Sequence, residues 1–257
     1  MSNVALQKRD HGSSSSFGVR RAAIEFAIVH RAILLWLGIA GALMIIPVSA
    51  IAALRARRHS LLSDTISDLA AQDAPGATFM RIGLILFGVC VLAFAAGIGQ
   101  TVPRSGTGLW ITLSVFGACV VLVGIFQDYS EVPGTARNRE GYLHNSFGLL
   151  AIGGLVLSMV IAAVISSRSD QWRGLLPITS VCLLMIVVSG SAFTWGSERY
   201  EGLAELIVYG AALVWLLTGA CFGLARLRTA RSGENPGSGR VQQSSASNLT
   251  DHREVLL

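Results

Sequence analysis

Six long stretches without a charged side chain run through this 257-residue chain: residues 32–54, 82–103, 105–127, 145–167, 174–197 and 206–225. Each reaches the roughly 20 apolar residues that a helix needs to cross a bilayer. Hydrocarbon offers the backbone no water, so a spanning segment of this length must satisfy its own amides as a helix. The expected fold class is therefore all-α, a polytopic membrane protein built as a bundle of six transmembrane helices. Charged residues make up only 14% of the chain, against about a quarter in soluble domains.

The same pattern divides the chain into three parts. Residues 1–31 read as a cytosolic tail and surface helix, with disorder expected over 1–18 and helical patterning from Val19. Residues 32–225 form the six-span membrane domain. Residues 226–257 are polar, rich in Gly, Ser and Arg, and read as a disordered cytosolic tail. Neither tail is long enough to bury a core of its own. Val48-Ser49-Ala50 resembles a cleavage site, but the apolar run continues past it, so the first span reads as an uncleaved signal anchor. Pro47 within that span predicts a kink.

The net charge of +5 does not point to nucleic acid, because the basic residues are scattered at span ends, where they meet lipid headgroups. Membrane lipids are the expected partners; the oligomeric state is open. The four cysteines, Cys90, Cys119, Cys182 and Cys221, all lie in spans and read as packing residues rather than disulfides or metal ligands.

With six spans, both termini share a side. Thirteen Lys and Arg fall there: Lys8, Arg9, Arg20, Arg21, Arg31, Arg104, Arg168, Arg173, Arg226, Arg228, Arg231, Arg240 and Arg253. Seven fall opposite: Arg55, Arg57, Arg58, Arg81, Arg137, Arg139 and Arg199. The positive-inside rule then puts both termini in the cytoplasm of a plasma-membrane protein.

Nine of the fifteen carboxylates fall on the opposite, outer side: Asp64, Asp68, Asp73, Asp128, Glu131, Glu140, Glu198, Glu201 and Glu205. His59 and His144 join them. Three clusters follow. Leu62, Ile66 and Leu69 predict a short interfacial helix ended by Pro75-Gly76, with Ser63, Ser67, Asp64 and Asp68 on its polar side. Asp128 ends the third span, and His144 and Asn145 open the fourth. Glu198, Glu201 and Glu205 form an acidic stripe into the sixth, where they also complement the helix dipole. Asp68, Asp128 and His144 are the candidate catalytic residues; Ser67, Asn145, Glu198 and Arg199 are candidate ligand contacts. No cofactor is required by any motif. The alternative is a zinc or other divalent ion held by Asp128 and His144, which would activate water. Arg81, Arg137, Arg139 and Arg199 lie near the helix N-termini of that side and would suit an anionic headgroup. No Asp, Glu, Lys, Arg or His lies deep within a span, which disfavours a proton-coupled pump.

Thr65-Ile66-Ser67-Asp68-Leu69-Ala70 after the first span, Gly124-Ile125-Phe126-Gln127-Asp128 closing the third, His144 opening the fourth and Glu198-Arg199-Tyr200 before the last together resemble the six-helix membrane family catalogued as domain of unknown function 998. The resemblance implies an architecture and a motif set, without a reaction. A looser similarity to membrane hydrolases of the alkaline ceramidase and adiponectin-receptor type implies His, Asp and Ser around zinc near one membrane face. Three functional classes stand: a protein binding a lipid or small ligand at its outer face, a metal-dependent hydrolase or lipid-modifying enzyme, and a small transporter.

Overall fold

The computed structural model describes residues 13–56, 59–102, 106–129, 139–195 and 198–233. Among them are six helices long and apolar enough to cross a membrane: α1 (Ser13–Arg55), α2 (Ala77–Gly99), α3 (Thr107–Ile125), α4 (Arg139–Arg168), α5 (Leu176–Trp195) and α6 (Glu201–Gly233). The protein is a multi-pass membrane protein. Each helix packs on its neighbours in sequence, and α1 also packs on α6, so the bundle closes into a ring.

Several helices outrun their apolar cores. The 43 residues of α1 span roughly 65 Å at helical rise, twice the hydrocarbon thickness of about 30 Å. Its helix begins at Ser13, within the stretch expected to be disordered. At the far end, α6 continues through Arg226, Arg228 and Arg231 to Gly233, and α4 starts at Arg139, ahead of its uncharged run. Water and headgroups solvate arginines without interrupting the backbone ladder, so charge marks the edge of the hydrocarbon and not the end of the helix. Pro47 lies inside α1. The expectations for residues 1–12 and for the tail from 234 lie outside the described residues.

Between helices in lipid, association rests on close packing more than on the hydrophobic effect. Leu35, Ile45, Met80, Phe94, Leu113 and Met159 are fully buried at the centre, while Leu149 and Leu184 point outward, where a bilayer would receive them. Glycine sets the α2–α3 distance. A Cβ at Gly88 would lie 2.7 Å from the Gly117 carbonyl oxygen, and one at Gly117 would lie 3.0 Å from that of Gly88. Gly88→Leu is expected to destabilise the bundle by at least the upper end of the about 1–3 kcal/mol typical of overpacking. Thermal unfolding in detergent checks this against Gly148→Leu, whose added side chain starts in open space.

Two polar pairs lie inside the bundle. The Trp215 indole N–H donates to Thr179 Oγ1 at 3.1 Å, and the Ser158 and Thr112 hydroxyls lie 2.8 Å apart. A cavity of about 20 Å³ near the terminal end is lined by mostly apolar residues, including Phe94, Leu113, Trp172 and Trp215.

Candidate functional site at the loop end of the bundle

The end of the bundle opposite the termini gathers most of the chain's acidic chemistry. The segment between α1 and α2 is not a continuous interfacial helix. It is a set of turns with one short 3₁₀ stretch, Ser67–Ala70. Thr65, Ile66 and Leu69 are buried beneath it, but Leu62 is exposed. Local bonds explain the shape. Asp68 Oδ2 accepts the Thr65 N–H at 2.6 Å, and Thr65 Oγ1 accepts the Asp68 N–H at 3.3 Å. This reciprocal pair is a capping box. Ser67 shares a 2.8 Å hydroxyl contact with Thr65.

Asp64 holds the preceding turn. Burial alone would raise its carboxyl, but the Ser60 N–H, the Ser63 hydroxyl and the nearby His59 together hold it below its ordinary value. Because the folded state depresses this group, its contribution is present above the ordinary aspartate range and is lost as pH falls through the folded value. The His59 side chain is buried; its Nδ1 lies 3.9 Å from Asp64 Oδ2, and its Nε2 has no partner among the described residues.

Glu205 fastens this segment to α6. Its carboxylate accepts the backbone N–H groups of Ile66 and Ser67, and the charges bearing on it are those of Asp68 and Asp128. The Leu203 N–H donates to the Leu62 carbonyl at 3.1 Å beside it. Gly202 is required there, because any side chain would collide with the Asp64 backbone. One turn deeper, Tyr209 meets Ser49 of α1, hydroxyl to hydroxyl, at 3.1 Å. Sequence reasoning assigned Glu205 to the helix dipole and passed over Tyr209 and Ser49. Their signal was the i, i+4 spacing of Glu205 and Tyr209 at the mouth of an otherwise apolar span.

Asp128 and His144 do come together. His144 is almost fully buried, and its Nδ1 lies 3.0 Å from both the Val123 and the Phe126 carbonyl oxygens at the end of α3. Carbonyls only accept, so Nδ1 carries the proton. Nε2 then faces Asp128 Oδ2 at 3.5 Å. Asp128 Oδ1 also accepts the Tyr129 N–H at 2.7 Å and the Asn145 amide at 3.4 Å. A single backbone bridge pairs Ala71 with Asp128, which brings the capping-box segment and the α3–α4 junction side by side.

Other candidates are placed differently. Arg81 is committed to α3, donating to the Gly124 and Ile125 carbonyls at 3.0 and 2.5 Å. Arg199 lies over the Tyr200 ring. The side chain of Glu198 lies outside the described residues, as does Arg137. Among the described residues no group of three or more His, Cys, Asp and Glu side chains is spaced to hold a metal ion.

The residues that carry this geometry fall within one family pattern. A family model described as "Protein of unknown function (DUF998)" matches residues 39–221. The chain belongs to this family. The DUF998 match runs from α1 to α6 and so takes in the capping box, Asp128, His144 and Glu205. No curated protein and no solved structure matches the chain.

Proposed function

We propose that this DUF998 protein binds a small ligand carrying a positive charge or several hydrogen-bond donors at its loop end. On the charge asymmetry of its flanks, that end is the extracytoplasmic face of the plasma membrane, with both termini inside. The supporting observation is a convergence of three carboxylates from separate elements: Glu205 holds the Ile66 N–H, Asp68 holds the Thr65 N–H beside it, and the Ala71 bridge brings Asp128 alongside the same segment. Carboxylates brought together repel one another, and a cation or donor between them relieves that cost. Ser67 and Asn145 border the same place and would orient a polar ligand.

The test is thermal unfolding of the detergent-purified protein against ethanolamine, choline and spermidine, with glycerol phosphate as the anionic control. A binding amine at 100 times its Kd should add about 2.7 kcal/mol of stability. Asp68→Asn and Asp128→Asn should each weaken that response. Stabilisation by the anion alone, or by no amine, would overturn the reading.

A further inference from the structure

The terminal end of the bundle holds a different unsolved group. Leu35 of α1 packs between α2 and α6: a Cβ at Gly223 would lie 3.0 Å from it, and one at Gly97 3.3 Å. Four residues earlier, on the same helix face, the chain places Arg31. Four residues after Gly223, α6 places the buried Leu227. Arg31 therefore sits at the mouth of the α1–α6 seam, and its Nε is buried with no hydrogen-bond partner among the described residues. A buried guanidinium N–H without an acceptor is costly, so the seam calls for one.

The surroundings define that acceptor. Trp36 and Trp110 are exposed at this end of the bundle, as interfacial tryptophans are. Arg31 precedes Trp36 by five residues on α1, about 7 Å farther toward the terminal end. Arg228 and Arg231 stand exposed on α6, one and four residues past the buried Leu227, whereas Arg226 donates to the Gln171 carbonyl and Arg173 pairs with Asp170 at 3.3 Å. A phosphate oxygen offers a charged acceptor whose geometry matches a guanidinium. We propose that the mouth of the α1–α6 seam binds the phosphate of an anionic phospholipid, with Arg31 as its inner contact and Arg228 and Arg231 as its outer ones. This site is independent of the ligand site at the other end.

The test uses the full chain, delipidated in mild detergent and titrated with phosphatidylglycerol, phosphatidylcholine or inorganic phosphate while retained lipid is read by native mass spectrometry. Phosphatidylglycerol should bind at least about tenfold more tightly than phosphatidylcholine, and Arg31→Gln should remove about tenfold of that affinity. Arg228→Gln should remove less, because its contact is exposed. Equal binding of both lipids, or an unchanged preference in Arg31→Gln, would overturn the proposal. So would inorganic phosphate displacing the lipid at equal concentration, which would mark a free-anion site. Should Arg31→Gln fail to accumulate, photoactivatable phosphatidylglycerol on the wild-type protein decides: labelling of residues 22–36 and 222–233 supports the site, and labelling elsewhere refutes it.

Discussion

Glu205→Ala should destabilise the protein by about 2–4 kcal/mol, because it leaves two backbone donors without an acceptor. Ile66 and Ser67 both give their N–H groups to this one carboxylate, across 139 residues of sequence in the case of Ile66. Beyond this carboxylate the segment is tied to other elements by the Leu203–Leu62 backbone bond, the Ala71–Asp128 bridge and the burial of Ile66 and Leu69. Its own bonds, the Thr65–Asp68 box and the Asp64 turn, are local and fix its shape but not its position. Glu205→Gln keeps a carbonyl acceptor and should recover part of the loss. Glu201→Ala, on the same acidic stripe, should change little. Amide exchange distinguishes a docked segment from one that only folds locally. In Glu205→Ala the Ile66 and Ser67 amides should exchange quickly while the Thr65 amide, bonded to Asp68, stays protected. Unaltered protection at Ile66 and Ser67 would show that Glu205 does not dock the segment.

That contrast also explains what was legible in the sequence. The six spans were readable because hydrocarbon thickness imposes a length and forbids charge, and both are visible one residue at a time. Helix ends were less readable. Arg139, Arg226 and Arg231 look like boundaries in a hydropathy reading, yet they lie within α4 and α6. The Thr65-x-x-Asp68 spacing is a recognisable capping pattern, but in a segment with Asp64 and Ser63 it reads equally well as a polar helix face. The grouping of Asp128 with His144 was readable because one ends the third span and the other opens the fourth on the same side. Glu205 with Ile66 was not, since nothing in either neighbourhood announces a partner so distant in sequence. The small residues at Gly88 and Gly202 belong to the same class: their role appears only once the opposing backbone is in place.

The Asp128–His144 pair carries the other large expectation. His144→Ala should cost about 2–4 kcal/mol, from a buried side chain lost and the Val123 and Phe126 carbonyls left without their donor. The more informative quantity is its coupling to Asp128. Nε2 of the ring lies 3.5 Å from Asp128 Oδ2 in a buried site, while Asp128 Oδ1 holds the Tyr129 N–H and the Asn145 amide. Removing either side chain therefore disturbs the surroundings of the other. A double-mutant cycle of His144→Ala and Asp128→Asn should therefore show a favourable coupling of about 1–3 kcal/mol, the double variant losing less than the two single losses added together. Coupling near zero would reduce the pair to neighbours, each held by its own backbone contacts. Coupling of the opposite sign would mean that the fold holds a repelling pair, and would move the search for a ligand to the space between Nε2 and the carboxylate.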